Sequence, residues 1–188
     1  MRSKKIIVKN KKDYKRFIKN IKIYKTILYH NIYFYLEDND NEELNNIITA
    51  LNIKDRYNRI VFVYNKACEY IDNNLNYNDI CDFKCNKCIY QREHNNNSNG
   101  CCRTCKYLKN GKCSTKNLAC KLFYCPSIRK NNKILRIKDI NILKLFSLKN
   151  KILLKTEFFR SYEDVLNDLK SRSLLKFILK SEKNKKSN

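Results

Sequence analysis

The sequence predicts a mainly α-helical fold, a helical domain with an embedded cysteine-rich, loop-rich metal-binding module. Three observations predict it. Only two Gly and one Pro occur in 188 residues, too few turn residues for a many-stranded β fold. Apolar residues recur at steps of three and four over several long windows, the period of an amphipathic helix. Nine of the ten cysteines fall within residues 81–125.

Residues 3–9 read as a short strand or an ordered arm. From 12 to 36 no Gly or Pro intervenes, and Phe17, Ile21, Tyr24, Leu28, Ile32 and Tyr35 fall on one face of a long helix. Lys12, Lys15, Lys19 and Lys22 share another face, in the manner of a solvated stripe. Asp40 followed by Glu43 has the form of a capping box, opening a helix over 41–51. After a turn at 52–53, a helix over 55–75 carries Tyr57, Val61, Tyr64, Cys68, Ile71 and Leu75 on its apolar stripe. Cys68 on that stripe is a core residue and not a ligand. Leu51-Asn52-Ile53 has the look of a helix-turn-helix turn. Polar Asn58 and the acidity of the segment favour an ordinary helical hairpin.

Beyond a joint at 131–132, residues 134–137 are extended or begin a helix. A helix is predicted over 139–154 with Ile142, Leu143, Phe146 and Leu153 in the core. Ser161-Tyr162-Glu163-Asp164 caps a helix over 162–180 with Val165, Leu166, Leu169, Phe177 and Ile178 inside, followed by a basic, frayed tail. The chain thus divides into 1–80, the N-terminal helical part of the core; 81–130, the metal module projecting from that body; and 131–188, C-terminal helices packing on the core.

In the module, Cys85-x2-Cys88 and Cys102-x2-Cys105 are separated by thirteen residues. The two-residue spacer lets both sulfurs of a pair point at one ion, so these four thiols predict a tetrahedral Zn2+ site. A second site can draw on Cys101, Cys113, Cys120 and Cys125, with Cys81 or His94 as substitutes; one or two Zn2+ are expected. His94, beside the asparagine-rich loop 95–100, reads as a surface histidine. Cys81-x3-Cys85-x2-Cys88 also looks like the motif that holds the Fe-S cluster of radical S-adenosylmethionine enzymes. Too few strands are predicted for such a barrel, which leaves an Fe-S cluster as the alternative cofactor.

The stretch Cys101-Cys102-Arg103-Thr104-Cys105-Lys106-Tyr107-Leu108, with Cys113, Cys120 and Cys125-Pro126, resembles the bacterial cysteine-cluster proteins of the zinc- or iron-chelating type, over about 26 residues. The resemblance implies a metal cluster and supplies no reaction. No phosphate-binding glycine loop or nucleophile motif occurs, and a four-thiolate Zn2+ offers water no open position. The chain is expected not to be an enzyme.

The net charge is +23. Residues 1–35 carry eleven Lys and Arg against one acid, residues 36–82 four against ten, and residues 83–155 eighteen against two. Lys outnumbers Arg 31 to 10, as an AT-rich gene produces by codon bias. Four-thiolate zinc sites, at about −2 each, absorb part of the positive charge. The excess that remains points to nucleic acid, or to a complex that contains it, bound in a regulatory or inhibitory role. Lys84, Lys87, Arg92, Arg103, Lys106 and Lys112 are the expected contacts, with the N-terminal lysines in support and with Tyr90 and Tyr107 placed to stack on bases. A zinc-held protein-interaction module is the alternative. Met1 to Asn10 holds too short an apolar run for a signal peptide, and no stretch has membrane-spanning length. Ten thiols then suit a reducing, cytoplasmic location.

Overall fold

A computed structural model describes residues 2–24, 31–37, 40–82, 84–85, 87–94, 107–109, 112–131 and 134–171. The protein is mainly helical. Among the described residues, no helix is long and apolar enough to cross a membrane.

Strand β1 (Arg2–Ile6) leads into helix α1 (Lys11–Tyr24), whose Phe17, Ile18 and Ile21 are buried. This helix is shorter than the one predicted over 12–36. Residues 25–30 lie outside the described residues, and Ile32–Leu36 form strand β2, parallel to β1 in the register Arg2↔Ile32 to Ile6↔Leu36. Ile32-Tyr33-Phe34-Tyr35-Leu36 is an unbroken run of β-branched, aromatic and aliphatic residues, which suits a pleated, half-buried surface better than a helix. Ile32 and Tyr35 match the helical period only by spacing. On its other edge β2 is completed by a side chain: Phe34 N–H donates to Asn52 Oδ1 at 2.8 Å and Asn52 Nδ2 donates to Phe34 O at 2.6 Å.

Helices α2 (Glu42–Asn52) and α3 (Arg56–Asn74) form the predicted hairpin. The cap of α2 is Asn41, one residue past the expected Asp40, and Asp55 caps α3 by accepting from Asn58 N at 2.7 Å. Along α3, Ile60, Val63, Tyr64, Ala67, Cys68 and Ile71 are buried, whereas Tyr57 is exposed. Cys68 is a core residue, as its place on the stripe predicts, and burial pushes its thiol up from the ordinary 9.0 to about 12.

Three short helices, α4 (Tyr77–Cys81), α5 (Ile89–Glu93) and α6 (Leu118–Lys121), and a two-residue antiparallel ladder of β3 (Leu108–Lys109) with β4 (Lys112–Cys113) carry the chain through the cysteine-rich segment to α7 (Pro126–Asn131). Cys81, Cys88, Leu118, Tyr124, Cys125 and Ile128 belong to the same buried cluster as the helical core. These flanks of the segment are therefore packed into the body.

The helix predicted over 139–154 is broken. Ile137–Asp139 and Asn141–Leu145 are 3-10 turns, and helix α8 runs from Leu148 to Thr156 with Ser147 as its cap. Ile140, Ile142, Leu143, Leu145 and Phe146 are all buried, more of the circumference than one amphipathic stripe covers. Ser147 then restarts the helix by accepting from Asn150 N at 3.2 Å. Helix α9 (Tyr162–Lys170) opens on the predicted Ser161 cap. The rest of the helix predicted to 180, and the tail, lie outside the described residues.

Candidate metal centre and basic cleft

The loop before α5 is a tight structure. Lys84 and Lys87 exchange backbone hydrogen bonds at 3.0 and 2.9 Å, enclosing Cys85 at φ 48. Asp82, at φ 44, also takes the left-handed conformation, which disfavours non-glycine residues. Arg92 fixes both ends of this loop: it pairs with the Asp82 carboxylate, and its guanidinium also donates to Asp82 O and, at 2.9 Å, to Lys87 O. Cys88 sits at the start of α5, its N–H donating to the buried Gln91 Oε1 at 3.1 Å. A Cys-x2-Cys pair is thereby held on a fixed turn with Cys85 exposed and Cys88 buried.

Cys81 and Cys125 are buried; α4, which ends at Cys81, contacts β4, which ends at Cys113, and α5, which Cys88 immediately precedes, contacts α7, which Cys125 immediately precedes. Cys120 lies elsewhere, accepting from Phe159 N–H at 3.2 Å. Among the described residues, no group of three or more His, Cys, Asp or Glu is arranged to hold a metal ion. Cys101, Cys102 and Cys105, three of the expected ligands, lie outside the described residues. His94 is exposed, with its Nδ1 3.0 Å from Tyr90 O and its ring stacked on Tyr90.

Of the cations expected to meet nucleic acid, Arg103 and Lys106 lie outside the described residues, and Lys112 is on β4. Arg92 is committed to the loop, and Lys84 lies 3.6 Å from Asp82. Tyr107 is exposed and Tyr90 is half-buried against His94.

Another concentration of positive charge among the described residues lies elsewhere. A cleft of about 900 Å3 is lined by Lys19 and Lys22 of α1, Arg129 of α7, Lys144 of the second 3-10 turn, Lys151 and Lys155 of α8, and Arg136 and Lys138 of the segment between α7 and that turn. No Asp or Glu is among its described lining residues. Ile18, Leu122, Ile134 and Leu154 supply an apolar floor.

Lys144 is positioned by a polar relay. Its Nζ donates to Asn141 Oδ1 at 2.7 Å, and Asn141 Nδ2 donates to Tyr14 Oη at 2.8 Å and Glu43 Oε1 at 3.1 Å. Tyr14 in turn donates to Glu43, and burial with that carboxylate pushes its hydroxyl well above the ordinary value. Burial, and then the neighbouring Lys22, lower the pKa of Lys144; burial, Lys22 and Lys144 lower that of Lys151. Three ammonium groups thus crowd one wall of the cleft, with Lys22 disfavouring the charged form of Lys144, and Lys22 and Lys144 that of Lys151.

The sequence shows the excess charge of residues 83–155 but not this cleft, because its cations come from positions as distant as Lys19 and Lys155. The stripe on α1 is partly absorbed here: Lys19 and Lys22 line the cleft, and Lys12 and Lys15 are exposed. Compared with family models, with curated proteins and with solved structures, the chain matches none.

Proposed function

We propose that the protein binds nucleic acid in the basic cleft, in a regulatory or inhibitory role, with its cysteine-rich segment stabilised by thiolate-bound Zn2+. The observation that carries this reading is the convergence of eight Lys and Arg on one cleft without a carboxylate among its described lining. Like charges repel one another there, and an array of phosphates relieves the repulsion while releasing the counterions of both partners. Support for the metal comes from the sequence spacing and from the fixed Cys85–Cys88 turn. The four thiolates assigned to one ion are Cys85, Cys88, Cys102 and Cys105; Cys81, Cys101, Cys113, Cys120 and Cys125 are the reserve for a second.

The test is a salt titration of affinity for a labelled oligonucleotide, with the parent protein and with Lys22→Gln/Lys151→Gln. The parent should lose affinity steeply as salt rises. The variant should bind more weakly and show a shallower dependence of log affinity on log salt, by about one for each phosphate that is no longer neutralised. Absence of binding at low salt, or a slope that the substitutions leave unchanged, refutes the reading and favours the protein-interaction module.

A further inference from the structure

At one edge of the cleft the chain presents aromatic rings to solvent. Phe158 lines the cleft. Its ring meets Phe123 edge-on with centroids 5.8 Å apart, and Phe159 lies 6.4 Å beyond it. Phe123 is 37% exposed and Phe159 90% exposed. Isolated apolar residues on a surface need no explanation, but this trio is contiguous, and its most exposed member is held in place.

Phe159 has φ 59, a left-handed conformation that a bulky residue adopts only when its surroundings impose it. They do so from two sides. Asn117 Nδ2 donates to Glu157 O at 2.7 Å and to Arg160 O at 3.1 Å, and Phe159 N–H donates to Cys120 Sγ at 3.2 Å. Arg160, paired with Glu157 and Asp168, closes the turn. The backbone that carries the ring is therefore held in the turn, and the ring itself faces solvent.

We infer that Phe123, Phe158 and Phe159 form a stacking platform for unpaired bases, so that the cleft takes single-stranded nucleic acid in preference to duplex. This deepens the proposed function and rests on it. In a duplex the faces of the bases are covered by their neighbours and only their edges and the phosphates are open to the protein, whereas an unpaired strand offers a π-face beside each phosphate. A row of cations with aromatic rings at its edge matches that alternation. An anionic bilayer also combines charge with an apolar phase, but it presents a broad surface, and Lys22, Lys144 and Lys151 line a concave wall.

The chain contains no Trp, so Phe159→Trp introduces a single indole as a reporter. The experiment follows its emission on addition of a single strand, of the corresponding duplex, and of vesicles of phosphatidylcholine and phosphatidylserine in equal parts; Phe159→Ala is titrated with the same two nucleic acids. The expected result is quenching by the single strand and not by the duplex, with Phe159→Ala weakening single-strand binding about tenfold and leaving duplex binding unchanged. Duplex bound as tightly as single strand, without quenching, overturns the stacking platform and leaves the charge-based reading standing. Enhanced, blue-shifted emission on vesicles with no response to the strand also overturns it, in favour of a membrane surface. Absence of affinity for either nucleic acid at low salt overturns both readings.

Discussion

The ammonium of Lys121, 1% exposed, donates to the carboxylate of Asp72 across the contact between α6 and α3. A buried charge keeps its place only while its partners remain. Asp72→Ala should destabilise the protein by about 2 kcal/mol, since the half-exposed carboxylate is partly screened by water. Lys121→Met, which removes the buried charge and keeps the stem, should cost less than about 1 kcal/mol. Denaturant unfolding of the two variants distinguishes them; equal losses would mean that the ion pair itself, and not the stranding of a buried charge, sets the energetics.

Asn52 acts toward Phe34 as one residue of a third strand. Phe34 is 1% exposed, so water does not replace a missing partner there. Asn52→Ala should therefore cost about 2 kcal/mol, the loss of two hydrogen bonds to buried backbone. Asn52→Asp should fall between the two, because a carboxylate still accepts from the N–H but repels the carbonyl. Thermal unfolding gives the order, and an Asp variant weaker than Ala would contradict it.

These two contacts mark where the sequence was legible and where it was not. Ser161 was readable as a cap because a cap is a local event, a side chain meeting an N–H three residues ahead. The helical stripe of α3 was readable in kind, though its buried face runs through Ile60, Val63 and Ala67 and leaves Tyr57 in solvent. Strand β2 was readable only in the composition of 32–36, which the helical spacing of Ile32 and Tyr35 masked; its partners, Arg2–Ile6 and a side chain 18 residues away, were not. The cleft was hidden for the same reason: charge can be counted along the chain, but Lys22 and Lys151 meet only through the packing of α1 and the second 3-10 turn. Phe159 gave no signal, because its exposure depends on Asn117 and Cys120 holding the turn.

The proton balance of the cleft gives a pH signature. Lys144 and Lys151 are depressed below the ordinary 10.5, chiefly by burial and then by Lys22 and, at Lys151, by Lys144, with Glu43 opposing this at Lys144. A bound phosphate favours their charged forms, so binding takes up protons once the free groups begin to titrate. Affinity should hold at neutral pH and fall as pH rises, before ordinary lysines lose their charge. Lys144→Arg/Lys151→Arg keeps the charges and should flatten that fall. A profile that the arginines leave unchanged would place the titrating groups elsewhere.

Cys68 supplies a separate alkaline effect. Its thiol is ordinary, near 9.0, when unfolded, and burial raises it to about 12 in the fold. The unfolded chain therefore ionises first. The stability that Cys68 contributes is complete below about pH 9 and is lost as pH rises toward 12. Cys68→Ala should show a smaller loss of stability across that window than the parent, and in folded protein stripped of metal at about pH 8 the exposed Cys85 should react with a thiol reagent well before Cys68.

Metal removal is the remaining test, and the packing of the cysteines sharpens it. A thiolate site that spans Cys85, Cys88 and the cysteines of 101–106 ties α5 to a segment with little apolar substance of its own, so binding free energy becomes local folding energy. Elemental analysis should find one or two Zn2+, and absorption near ~400 nm would instead identify an Fe-S cluster. Because Cys81, Cys88 and Cys125 also belong to the helical core, stripping the metal should not leave the body untouched. Hydrogen exchange should accelerate most in α4, α5 and α7, which carry or follow those cysteines, and least in α2 and α3, whose buried faces are aliphatic and aromatic. Uniform acceleration would show that the metal holds the whole fold. Protection unchanged in α4, α5 and α7 after complete removal would show that their packing stands without it.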